Sequence, residues 1–194
     1  MSKNLGPIHY MMYNKIKFQN DLCDKLVATF ENIDMNDFNE KIGQPQSGEL
    51  SEIIELSNIH GWLQGNVDKV ELKLAYIVKK LQENGVSQTD IEKVAFEHGK
   101  TARVEANTKE EAWNSLNVIL INGMPCDRVL NFDVSEDKFI VKVEKSIHDV
   151  YWEQIGVINN IYNEIRNSII EGAFEGTKFS LSEINSETFE IVMK

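Results

Sequence analysis

The sequence predicts an α+β fold, with helices packed against an antiparallel sheet made from two hairpins and a pair of long helices at the N-terminal end. Two observations carry that expectation. Apolar residues recur at helical spacing through about the first eighty positions. Further on, two pairs of β-prone segments flank a long stretch that returns to the helical period.

The first helix is expected over about residues 8–31. Pro7 can open it without losing a needed donor, and Ile8, Met11, Met12, Ile16, Leu22, Leu26, Val27 and Phe30 supply its apolar spacing. Residues 32–49 contain Gly43, Pro45 and Gly48 and read as a surface loop with a short helical turn near 34–38. Ser51 is placed to cap a second helix running from Glu52 through Leu81 to the Asn84-Gly85 stop. Gly61 and Gly65 interrupt that pattern, each costing about 1 kcal/mol in helix propensity, so a bend or a close backbone approach is expected there. Ser87 caps a helix over about 88–106, and Thr108 with Glu111 forms a capping box for another that ends near Gly123.

The β-prone runs are 128–134 and 138–144, then 178–184 and 188–193. In the second run, Phe139, Val141 and Val143 alternate with Ile140, Lys142 and Glu144, as in a strand with one buried face. Between the hairpins, one helix is expected from about Asp149 to Gly172. Residues 1–86 are read as an N-terminal helical extension and 87–194 as an α+β ligand-binding-like domain, packed as one globular unit.

Ala95-Phe-Glu-His-Gly-Lys-Thr-Ala102, the helix of Thr108 to Gly123, the hairpin of Phe132 to Glu144, and Glu164 to Gly176 followed by Phe179 to Val192 together resemble the four-vinyl-reductase-type small-molecule-binding domain. That domain is a distant relative of haem nitric-oxide-binding domains. The resemblance covers about residues 87–194 and implies a compact, often dimeric module that senses or handles hydrophobic ligands. Many members carry two cysteines in the terminal hairpin. Here the matching stretch, Glu183 to Glu190, has none, so any metal or redox role tied to those cysteines is absent.

With 194 residues, 42% of them hydrophobic, the chain can bury a sizeable core. Thirty-one acidic against twenty basic residues give a formal charge of −11, a field that repels phosphate backbones and anionic membrane surfaces. Neither a nucleic-acid nor a membrane partner is expected. No apolar stretch is long enough to span a bilayer, no secretory leader is recognisable, and Cys23 and Cys126 are too few for a disulfide scaffold. A cytoplasmic location is expected.

No motif names a reaction: GxGxxG, Walker, CxxC, GxSxG and HExxH patterns are all missing. The leading expectation is a small-molecule-binding or sensory protein whose apolar pocket contains histidine. His60 and His98 would orient a polar group of the ligand, with Trp62, Phe96 and Trp152 supplying apolar contact. Gly61 and Gly99 stand beside the two imidazoles and would admit a ligand, or simply let another helix approach. An alternative is a metal-dependent enzyme holding Zn or Fe through His9, His60, His98 and His148, with Cys126 as a further ligand or nucleophile. Against that, His9 can serve as a polar cap, His148 as a helix-start residue and Cys126 as a turn residue beside Pro125. A third reading is a structural interaction module, with residues 1–86 as its interface and a homodimer as its form.

Overall fold

The computed structural model describes residues 5–31, 33–102, 104–123, 127–135, 138–157, 159–185 and 187–194. The chain forms two compact units. Unit one takes Met1–Ser87 together with Val150–Asn160, and unit two takes Gln88–Asp149 and Ile161–Lys194. In chain order the helices are α1 (Pro7–Thr29), α2 (Asn36–Lys41), α3 (Leu50–Ile53), α4 (Ile59–Glu83), α5 (Gln88–Gly99), α6 (Lys109–Asn117), α7 (Asp149–Ile155) and α8 (Tyr162–Phe174). The strands are β1 (Leu130–Val134), β2 (Phe139–Val143), β3 (Phe179–Asn185) and β4 (Thr188–Met193). The α+β class is the one expected. Among the described residues, no helix is long and apolar enough to cross a membrane.

In unit one, α1 and α4 lie side by side. His9 meets His60, Tyr13 meets Trp62, Gln19 meets Val70 and Glu71, and Asp24 meets Lys73. The contacts advance in the same direction along both helices, so the two run parallel. A 23-residue helix is about 34 Å long, and the chain must travel back that distance before α4 begins. The segment carrying α2 and α3 makes this return. Part of it is pinned from within: Tyr13 Oη donates to Gly48 O at 3.0 Å, and Gln46 N donates to Asn66 Oδ1 at 2.7 Å.

The expected helix from Glu52 to Leu81 is broken, and Ser51 lies within α3 and not at a cap position. The chain makes one turn at α3, leaves the helix at Ile54 and restarts at Ile59. Asn58 Oδ1 accepts from Gly61 N at 3.2 Å, so Asn58 is the true cap. A Cβ on Gly61 would lie 2.3 Å from Asn58 Nδ2, which explains the glycine. Gly65 has no such reason, since a Cβ there meets nothing within 4 Å.

The interface between α1 and α4 also buries polar groups. Gln19 Nε2 donates to Glu71 Oε1 at 3.0 Å, and Lys73 Nζ reaches Asp24 Oδ1 at 2.6 Å. Lys15 of α1 is buried as well, and burial pushes its ammonium down to about 8.

The long helix expected over 149–172 is divided. Gly156 adopts φ 71°, with Val157 N donating to Trp152 O and Gly156 N to Glu153 O, a left-handed helix stop. The piece on the near side of the break fastens to α4. Tyr151 Oη donates to Asp68 Oδ1 at 2.7 Å and Lys79 Nζ to Ile155 O at 2.8 Å, and just beyond the break Gln82 Nε2 donates to Asn159 O at 2.9 Å.

In unit two the sheet is antiparallel throughout, in the order β1-β2-β4-β3. The register Phe132–Val141–Phe189 puts the apolar positions of three strands on one face. Trp113 of α6 covers that face, with ring centroids 5.7 Å from Phe132, 6.4 Å from Phe139 and 5.9 Å from Phe189. α8 reaches the same face and crosses α5 in the antiparallel sense. A Cβ on Gly99 would lie 2.1 Å from Ile169 O, and one on Gly172 2.1 Å from Phe96 O. Only hydrogen fits at either place.

Gly99→Ala and Gly172→Ala are each expected to destabilise unit two by about 1 to 3 kcal/mol or more, because backbone must move. Gly65→Ala should instead stabilise unit one by about 1 kcal/mol. Urea unfolding of the three variants checks both signs. Lys15 gives a pH test. The folded state releases its proton near pH 8, whereas the unfolded chain holds it to about 10.5. Between those values the unfolded state binds more protons, so the stability of the wild type rises with pH. Relative to Lys15→Met, which cannot titrate, the wild type should gain about 1 to 3 kcal/mol across that window.

Candidate functional site

Unit two contains a cavity of about 130 Å³ at one end of its sheet. Its wall comes from several elements. Asn122 follows α6, Val129 and Leu130 lead into β1, and Val143 ends β2. Ser146, His148 and Asp149 come from the stretch entering α7, Glu187 from the turn of the last hairpin, and Tyr162, Asn163 and Arg166 from the start of α8. The lining mixes apolar groups with neutral hydrogen-bonding groups and ionisable ones. Such convergence is typical of sites for small molecules. An apolar cavity of about 150 Å³ can hold benzene, so this space suits a single small ring or one end of a longer molecule.

Two side chains give the site its character. His148 and Tyr162 stack with centroids 3.7 Å apart and planes tilted by 18°, which makes a flat, rigid portion of wall. Arg166 is 7% exposed, and its guanidinium carbon sits 4.7 Å from the centre of the Phe189 ring. That ring, part of the sheet's apolar face, holds one side of the guanidinium by a cation–π contact. Nη2 of Arg166 has no hydrogen-bond partner among the described residues. Burial lowers the pKa of the guanidinium, while Tyr162 acts in the opposite direction. A guanidinium nevertheless stays charged in a protein.

The sequence reading did not single out Arg166, yet the signal was present. In α8, Tyr162, Ile165, Arg166, Ile169, Ile170 and Ala173 are buried at helical spacing. An arginine therefore occupies a core-facing position of an otherwise apolar stripe. Arginine is seldom buried without a partner.

The residues expected to form the site are distributed differently. His60, Trp62 and Trp152 belong to unit one, and Phe96 and His98 to unit two; none of these five lines the cavity. His9 and His60 do meet, with ring centroids 5.5 Å apart, near the paired starts of α1 and α4. His9 is buried and Nδ1 accepts from Gly6 N at 2.9 Å, so it works as the polar cap of α1. His60 is exposed at the start of α4, and Trp62 lies 6.0 Å from Tyr13. His98 is buried in α5, and Trp152 is buried in the core of unit one. Of the four histidines, His148 is the one on the cavity wall. Cys126 lies outside the described residues. Beside that segment, Gly123 has φ 76° and Arg128 φ 49°, both in the left-handed region. Among the described residues, no group of three or more His, Cys, Asp or Glu side chains is placed to hold a metal ion.

A buried guanidinium nitrogen left without an acceptor costs about 1 to 3 kcal/mol. Arg166→Met keeps most of the side chain's length and removes that cost. Thermal unfolding of the unliganded variant should therefore show stability equal to or above that of the wild type, whereas a structural arginine would lose several degrees on the same change. The chain matches no protein-family model, no curated protein and no solved structure with which it was compared.

Proposed function

We propose that this protein is a small-molecule-binding protein of the cytoplasm, with its site in the cavity of unit two. The observation that carries this reading is the buried Arg166, fixed against Phe189 on the wall of a cavity and keeping a hydrogen-bonding nitrogen uncommitted among the described residues. A group that served packing alone would be better replaced by an apolar side chain. The His148–Tyr162 stack supports the same reading, since it supplies a pre-formed surface that need not be ordered when a ligand arrives. The resemblance of residues 87–194 to a small-molecule-binding domain implies the same class of function. Histidine keeps a part in the pocket, with His148 taking the role first expected of His60 and His98.

The test is a screen of ring-sized fragments, charged and neutral, by thermal shift and by amide chemical shifts. Binding fragments should raise the melting temperature and perturb the amides of Ser146, His148 and Asn163. Val143→Phe and Asn163→Trp, which place bulk at lining positions, should abolish both effects. Fragments that bind equally well to the two filled variants, or a screen with no binder, would refute this site.

A further inference from the structure

We infer that the ligand of this cavity carries one oxyanion, a carboxylate or a phosphate, held by Arg166 beside the first turn of α8. The inference rests on the reading of the cavity as the binding site and adds the chemical class of what enters it. Arg166 supplies the first argument. Its Nη2 is buried and has no acceptor among the described residues, and Arg166 is one of the residues that line the cavity. The acceptor that best offsets the desolvation of a guanidinium is an anionic oxygen, because charge-assisted bonds are roughly twice as strong as neutral ones. The delocalised guanidinium is also less strongly hydrated than an ammonium, which suits it to a buried ion pair.

The helix supplies a second, independent argument. α8 has 13 residues, and its N-cap residue, Ile161, supplies no side-chain cap. The first N–H groups of a helix have no partner within it, and the helix dipole makes that end attractive to anions. Tyr162 and Asn163, from this same turn, are part of the cavity wall. The positive end of the helix and the buried guanidinium, one turn further along, therefore serve a single space. Asn122, Asn163 and Ser146 can orient the anion through neutral hydrogen bonds.

The acidic groups on the wall limit the charge of the ligand. Asp149 and Glu187 are both exposed lining residues. They repel a second negative group and favour a neutral or donor-bearing remainder. With a volume of about 130 Å³, the remainder is no larger than a small ring or short chain within the cavity.

Isothermal titration calorimetry at low ionic strength tests the inference on the full chain, with inorganic phosphate, acetate, benzoate and neutral benzamide as probes. At least one oxyanion should bind the wild type, at least tenfold more weakly to Arg166→Met, and not at all to Asn163→Trp. Benzamide should not compete. Phosphate against the two carboxylates separates the two sources of the oxyanion. Arg166→Gln gives a polar neutral replacement in case the apolar one fails to fold. Benzamide binding as tightly as benzoate, or oxyanion binding undiminished in both Arg166 variants, overturns the inference. If those neutral binders are lost in Asn163→Trp, the cavity survives as a binding site and only the anion assignment falls. No binding by any probe, together with an empty fragment screen, removes both.

Discussion

The crossing of α5 over α8 is the constraint on which unit two depends. Gly99 and Gly172 each face a carbonyl of the opposite helix at a distance that leaves no room for a methyl group. Backbone against backbone fixes the separation, and the pairing of Gly99 with Ile169 and of Gly172 with Phe96 fixes the register. From there α8 projects its first turns along the sheet. Arg166, one turn before Ile169, falls over Phe189, and Tyr162, another turn back, falls against His148. The cavity wall thus inherits its geometry from two glycines that do not line it.

The contact between α1 and α4 and the wall of the cavity treat polar groups in opposite ways. Along α1 and α4, Gln19 is joined to Glu71 and Lys73 to Asp24, so each of these groups is satisfied within the interface. Pairings of that kind add little net stability, but a slip of one helix along the other would leave them unmatched. In unit two, Arg166 is held on one face by an aromatic ring and keeps a polar atom uncommitted among the described residues. One arrangement specifies a fold. The other suits a site.

Much of the fold could be read from local signals. Pro7, the Asn84-Gly85 stop, the Thr108–Glu111 capping box and the alternation through Phe139, Val141 and Val143 all act over a few residues, and each stands where its chemistry requires. The errors arose where a local signal was weaker than its context. Leu56 and Ile59 fitted a helical spacing that ran on past Asn58, although Asn58 is the stronger cap. Gly156 was absorbed into a long apolar period, yet its positive φ ends α7. The binding residues were harder to read for a different reason. The sequence displays a histidine's chemistry but not its surroundings, and only tertiary structure reveals that His9 serves as a cap and His60 faces outward. Arg166 was legible in principle as a charge set within an apolar stripe, but its meaning depends on Phe189, more than twenty residues further along the chain.

Val150–Asn160 is an excursion of the chain into unit one, entered and left from unit two. During synthesis, the first 87 residues emerge from the ribosome lacking a piece of their own core, because Trp152 has not yet been made. Surface on α4 meant for α7 must wait through the whole of β1 and β2 before it is covered. Unit one is therefore not complete until Asn160 has been made, after most of the sheet's first hairpin and the helices before it have already emerged.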